Sequence, residues 1–191
     1  MVLAANVADA LHRLSLEQYH RMIEAGVLGE DDRVELLEGM IVDMPPPEGP
    51  PHAGAIQVLN RLLTRAAGER YWVRVQSPLT LPSTASELEP DLALVDGGDD
   101  PHAAHPTTAA LVIEVASTSL SRDRLWKAAI YARASIAEYW IVNVPARTIE
   151  IHRDPDPAEA RYSTITTHAR GERVHPLALP ELAVDVSAII G

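Results

Sequence analysis

Cysteine and phenylalanine are absent from the 191-residue chain, and its aromatic residues come to 3 tryptophans and 5 tyrosines. Without cysteine there are no disulfides, no thiolate zinc ligands and no cysteine nucleophile. Without phenylalanine, Ala, Val, Leu and Ile must fill the core, helped by Trp72, Trp126, Trp140 and a few tyrosines. No run approaches ~18 consecutive apolar residues, so no membrane-spanning helix is expected. Met1 to Ala10 lacks a basic region followed by a long apolar stretch and does not read as a secretory signal. A cytoplasmic protein is the expectation.

Positive charge is scarce as well. The 16 Lys and Arg against 27 Asp and Glu leave a net charge of −11. An acidic surface repels phosphate backbones, which excludes a non-specific nucleic-acid coat protein. Two openings remain: a carboxylate cluster that holds a divalent cation, or a solvated surface with no further role. With 47% apolar and 23% charged residues the composition is that of a globular protein. Residues 1–191 are expected to form a single domain with a core at about 33–153 and a C-terminal extension at 154–191.

Ser15 and Gln18 make a capping-box pattern, and the apolar spacing that follows predicts a helix over 15–25 with Gly26 just past its end. Two short apolar runs meet at Glu38-Gly39 and predict a tight hairpin. The proline run 45–51 is expected to be loop. From His52 to Glu69 the spacing is helical, with Ala55, Ile56, Leu59, Leu62, Leu63 and Ala66 on one face. Strands are expected at 71–76, 79–81, 91–95, 110–116 and 138–144, a helix at 122–133, and a terminal β meander at 148–152 and 162–166 with an irregular stretch, 154–160, between its strands. The fold class is α/β (α+β) with a mixed sheet.

Three charged residues interrupt this pattern. Glu114 sits inside Leu111-Val-Ile-Glu-Val-Ala116, where an unpaired carboxylate costs several kcal/mol to bury. It must therefore reach the strand's open end, pair with a cation or bind a metal. Asp91 follows Pro90 and opens the run Leu92 to Val95, with a turn-forming Asx residue as the alternative. Lys127 shares a helix face with Asp123 and Tyr131, beside packing residues Leu125, Trp126, Ala129 and Ile130. It either laps its alkyl stem over the core with the ammonium in water, or points inward. Two carboxylates from adjacent strand ends and one cation from the next helix make a plausible Mg²⁺-dependent phosphodiester site, since Mg²⁺ takes oxygen ligands and keeps several waters. His102 and His105 lack a third ligand for zinc. Gly97-Gly98 leads into acids, not into a phosphate-binding helix start.

In order and spacing, Val34-Glu-Leu-Leu-Glu-Gly39, the proline loop ending at His52, Pro90-Asp91, Leu111 to Ser117, Arg122 to Ala132 and Ile136 to Val142 resemble the PD-(D/E)XK nuclease superfamily. Within it the chain is most similar to the Uma-two-type restriction-endonuclease family. The resemblance implies a restriction-endonuclease-like αβββαβ core and a DNA endonuclease that depends on Mg²⁺ or Mn²⁺. It assigns Asp91 and Glu114 as metal ligands, with the Val115 backbone carbonyl completing the site. Ala116 stands where the superfamily places its lysine, and Lys127 would supply that cation from the next helix. Glu35 would be an additional acid, with His52, Gln76 and Asp123 accessory, and a homodimer would cut both strands of DNA. A catalytically silent binding domain of the same fold, or a hydrolase of small phosphate esters, are the rival readings.

Overall fold

The structure is a computed structural model that describes residues 11–29, 31–45, 49–98, 100, 102–117 and 119–190. The stretch Met1–Ala10 and the middle of the proline run, 46–48, lie outside those residues. Helix α1 (Leu16–Glu24) carries the expected capping box: Ser15 Oγ accepts from the Gln18 N–H, and the Gln18 side chain accepts from the Ser15 N–H. Strands β1 (Val34–Leu37) and β2 (Met40–Asp43) form the expected hairpin. Its two turn residues, Glu38 and Gly39, both have positive φ, 51° and 77°. Mirror-image turns of this kind match the twist of the flanking strands.

Helix α2 (Pro50–Ala67) starts two residues earlier than the proline run suggests. Pro50 and Pro51 fall in its first turn, where no intrahelical N–H bond is lost. Its buried stripe is Ala55, Ile56, Leu59, Leu63 and Ala67; Ala66, expected on that stripe, is exposed. Strands β3 (Tyr71–Val75), β4 (Leu79–Leu81), β5 (Ser86–Leu88), β6 (Leu92–Asp96) and β7 (Leu111–Ala116) follow. Strand β5 was not foreseen: Ser-Glu-Leu has no apolar alternation, yet all three residues are buried. Ser86 Oγ accepts from the Glu38 N–H, and Glu87 accepts from Thr80 Oγ1, so partners rather than hydropathy admit these polar groups.

Six strands make the main sheet in the order β10-β9-β8-β7-β6-β3, with β8 (Glu138–Asn143), β9 (Thr148–Asp156) and β10 (Arg161–Ala169). Among the described residues only the β7–β8 pair of this sheet is parallel, so the sheet is mixed as expected. Asp154 to Asp156, expected to be irregular, continue β9, because the β9–β10 ladder extends to the Arg161–Asp156 pair. Strands β2-β1-β5-β4 form a second, smaller sheet, and β11 (Arg173–Val174) pairs with β12 (Val184–Asp185).

Alternate residues of the main sheet feed two cores. One face carries Leu92, Leu94, Leu111, Ile113 and Val115 against α2 and the C-terminal residues Val184 to Ile190. The other carries Ala93, Val95, Val112 and Ala116 against Ile130, Tyr131 and Ala132 and against Leu37, Leu79 and Leu81 of the small sheet. Between β7 and β8 the chain forms a turn of helix α3 (Leu120–Arg122), a π-helical turn (Asp123–Lys127) and helix α4 (Ala128–Arg133). The sequence predicts one regular helix here. Instead the Ala128 N–H donates to the Asp123 carbonyl, an i to i+5 bond. The widened turn leaves Leu125 77% exposed, against its expected packing role, while Asp123 and Lys127 are both buried.

A Cβ at Gly39 would stand 2.8 Å from Arg13 Cβ and from the Leu14 carbonyl oxygen, in a conformation that L residues disfavour. Gly39→Ala is expected to destabilise the protein by at least about 1 kcal/mol, read as a lower midpoint in urea unfolding.

Candidate active site

The β6–β7 register pairs Leu92 with Ile113, and one step further brings Asp91 opposite Glu114. On the other side, Val75 pairs with Leu92, and the Gln76 N–H continues that ladder to the Asp91 carbonyl at 3.2 Å. Gln76, Asp91 and Glu114 thus form one row across three strands at an end of the sheet. Asp91 is two residues from Ala93 and Glu114 two from Val112, so both acids project on the face covered by the helical segment.

Each acid is held by specific donors. Asp91 Oδ2 accepts from the Val115 N–H at 2.8 Å and lies 3.4 Å from His52 Nε2; Oδ1 accepts from Gln76 Nε2 at 3.3 Å. Because the N–H and C=O of a strand residue point to the same edge, the Val115 carbonyl also faces the Asp91 side. Glu114 Oε1 accepts from Lys127 Nζ at 2.9 Å and from Tyr131 Oη at 2.9 Å. Lys127 Nζ also donates to Glu35 Oε1 at 3.0 Å, and that oxygen takes the Glu89 N–H at 2.9 Å. Asp123, 2% exposed, accepts from Ser119 Oγ at 2.6 Å.

All of these except Tyr131 line a cavity of about 630 Å³, together with His52 and Ala53 at the start of α2. Among the described residues, five of its side chains are acidic (Glu35, Glu89, Asp91, Glu114 and Asp123) and three are cationic (Arg33, Arg122 and Lys127). The imbalance shows in the titration of the buried groups. Burial pushes the Glu114 carboxyl well above its ordinary range; Lys127 pulls against this, and the nearby charges of Asp123, Asp91 and Glu35 reinforce it. Burial alone would lower the Lys127 ammonium, but Glu114, Glu35 and Asp123 outweigh it and hold the group above the usual lysine range. Asp123 and Glu89 are also raised, in both cases mainly by burial. Both shifts have one physical origin, several buried acids crowded around a single ammonium.

All the residues singled out from the sequence come together here: Asp91, Glu114, Lys127, Glu35, Val115, His52, Gln76 and Asp123 line this one cavity. Lys127 takes the inward alternative, and Asp123 bonds to Ser119. Tyr131 was not assigned to the site, although it follows Lys127 by four residues; Glu89 joins through its backbone, which no side-chain pattern signals.

Among the described residues no three His, Asp or Glu side chains are grouped to hold a metal ion. The donor set nevertheless fits Mg²⁺ or Mn²⁺: two carboxylates and a carbonyl are hard oxygen ligands, waters complete the shell, and the cavity holds surplus negative charge.

A family model described as "Putative restriction endonuclease" matches residues 16–187. The chain belongs to the Uma2 family. Its fold is shared with the crystal structure of a "putative nuclease belonging to DUF820" from Anabaena variabilis, at a TM-score of 0.69 and 14% identity over 93% of this chain and 97% of that one. No functionally curated protein matches the chain. Membership accounts for the order of its motifs, the mixed α+β sheet and the nuclease-type fold. No helix of the described residues is long and apolar enough to cross a membrane.

The raised Glu114 carboxyl makes a stability prediction for the metal-free protein. A carboxyl whose folded value exceeds its unfolded one stabilises fully at pH below the unfolded value, and loses that contribution as pH rises through the folded one. Glu114→Gln mimics the protonated form. In chelator, the thermal midpoint of Glu114→Gln minus that of the wild type is therefore expected to be larger at pH 8 than at pH 5. An equal difference at both would show that Glu114 is not held protonated.

Proposed function

We propose that this protein is a DNA endonuclease that hydrolyses phosphodiester bonds with Mg²⁺ or Mn²⁺ bound by Asp91, Glu114 and the Val115 carbonyl. The observation that carries the reading is the convergence of two opposed strand-end carboxylates and one buried ammonium on a single cavity. Family membership supports the reaction class.

When bound, the ion polarises the scissile phosphate and lowers the pKa of an attacking water. The protein's own groups do the rest. The Val115 N–H and Gln76 fix the Asp91 carboxylate, so its orientation costs nothing at the moment of reaction. Lys127 stays protonated; it acts as a donor that offsets charge building on the phosphoryl oxygens, not as the base that takes the water's proton. Glu35 positions Lys127, and the Glu89 N–H in turn fixes Glu35. Arg33 and Arg122, at the cavity wall, are placed to receive flanking phosphates. In the net reaction the water oxygen bonds to phosphorus, the bond from phosphorus to the leaving oxygen breaks, and the leaving oxygen collects a proton. Lys127 in the helical segment thereby serves in place of a lysine at Ala116. A homodimer would supply the two sites that duplex cleavage needs.

A silent binding domain is the competing reading, favoured by the closed bonding of Lys127 to two acids. The two separate in a plasmid assay. Wild-type protein with Mg²⁺ or Mn²⁺ should nick supercoiled DNA; Asp91→Ala and Glu114→Ala should abolish nicking, and Lys127→Met should reduce it by about 10²- to 10³-fold. Calorimetry should show Mn²⁺ binding that Asp91→Ala removes. Nicking unchanged in both alanine variants would overturn the assignment of the site, and folded wild-type protein that neither nicks nor binds Mn²⁺ would favour the silent domain.

A further inference from the structure

A second cavity, of about 510 Å³, runs along β3, the edge strand of the main sheet. Trp72 pairs with Val95 and Arg74 with Ala93, so Trp72, Arg74 and Gln76 project in a line on the same face as Asp91. Val75 lines both cavities, so the second one adjoins the first at the end of β3.

Two features of this groove lack an explanation in the fold. Trp72 is 50% exposed, although tryptophan is the costliest side chain to leave in water. Arg74 Nε is buried and has no hydrogen-bond partner among the described residues. An unsatisfied guanidinium N–H is expensive, and in a chain with 27 acids a carboxylate could readily have been placed beside it. The two exposed acids among the described residues of the groove are already engaged: Asp96 accepts from the Gly98 N–H and Asp100 from the His102 N–H. His105, also exposed, completes the wall opposite β3.

We propose that this groove binds an unpaired nucleotide of the strand being cut, its base stacked on Trp72 and its phosphate on Arg74. The inference rests on the nuclease reading and gives it a substrate class: DNA with a single-stranded or extruded nucleotide beside the scissile bond. Flat bases stack on an exposed indole whatever their identity. An arginine fork matches a phosphate. The volume lies within the range of pockets that enclose a molecule of nucleotide size. Such local capture also reconciles DNA binding with a net charge of −11, because one stacked base and one phosphate contact need no broad basic face.

Binding of fluorescein-labelled (dT)₁₀ to the full chain in chelator, followed by anisotropy, tests this without cleavage. Wild type should bind, and Trp72→Ala should weaken binding by about 5- to 150-fold. Arg74→Ala should weaken it too and lower the slope of log affinity against log salt by about 0.7, as expected for one lost phosphate contact on a single strand. Asp96→Ala should bind no more weakly than wild type. Competition by free dTMP but not by abasic oligonucleotide would support base capture. No wild-type binding, or equal binding by all variants, would overturn the proposal. A change in sedimentation mass in Trp72→Ala or Arg74→Ala would overturn it as well, by marking the groove as an interface between copies. Plasmid nicking measured beside it keeps the two readings apart: nicking by wild type with (dT)₁₀ binding insensitive to Trp72 and Arg74 removes only the subsite, and sensitive binding without nicking removes only the catalysis.

Discussion

One buried ammonium against an excess of buried acids is the constraint around which the rest is arranged. Lys127 bridges Glu35 of the small sheet to Glu114 of the main sheet, at 3.0 and 2.9 Å. Removing such a group from water costs several kcal/mol, and only well-placed partners offset it. The partners come from β1 and β7, far apart in sequence, and the lysine comes from the segment between β7 and β8. The bridge therefore exists only when both sheets and the helical segment are docked together. A hydrophobic residue at any of these positions would pack more simply. Keeping charge there is the kind of local cost that active sites carry and surrounding packing offsets.

The backbone around the site departs from regularity in the same places. The turn from Asp123 to Lys127 is π-helical, and Gln76 takes a positive φ of 44° just as β3 ends at the acid row. π turns are rare and recur at functional sites because the extra residue re-aims side chains. Here the widened turn sends Asp123 and Lys127 inward together and releases Leu125 to solvent. The surrounding sheet is regular, with apolar residues packed on both faces. Positions on strand ends are well suited to this, since the ladder fixes their direction while the missing next residue leaves room for a ligand.

Electrostatically, the described lining of the cavity holds more acids than cations. Among the described residues five acids and three cationic groups share one cavity, and burial pushes the Glu114 carboxyl toward its neutral form. A divalent ion with two carboxylate ligands and several waters would supply the missing charge and hold Glu114 ionised. Such an ion would bring the lining of five acids and three cations to balance, while the chain as a whole keeps its net charge of −11.

The sequence by itself determined the elements whose signals are local. The capping box at Ser15, the positive-φ turn at Glu38-Gly39, and the unbroken apolar strand at Leu111 to Ala116 with its lone acid were all legible, because caps, tight turns and buried strands depend on near neighbours. The ordered motifs pointed to Asp91, Glu114 and Lys127 before any geometry. Tertiary structure decided what local pattern cannot carry. Strand β5 is buried through hydrogen-bond partners from the β1–β2 turn and from β4, α2 begins inside the proline run, and the π turn chooses which side of its segment faces the core. The direction of Lys127 was likewise undecided: its alkyl stem reaches water or acid equally well. The position of Glu35, 92 residues away in the chain, settles it.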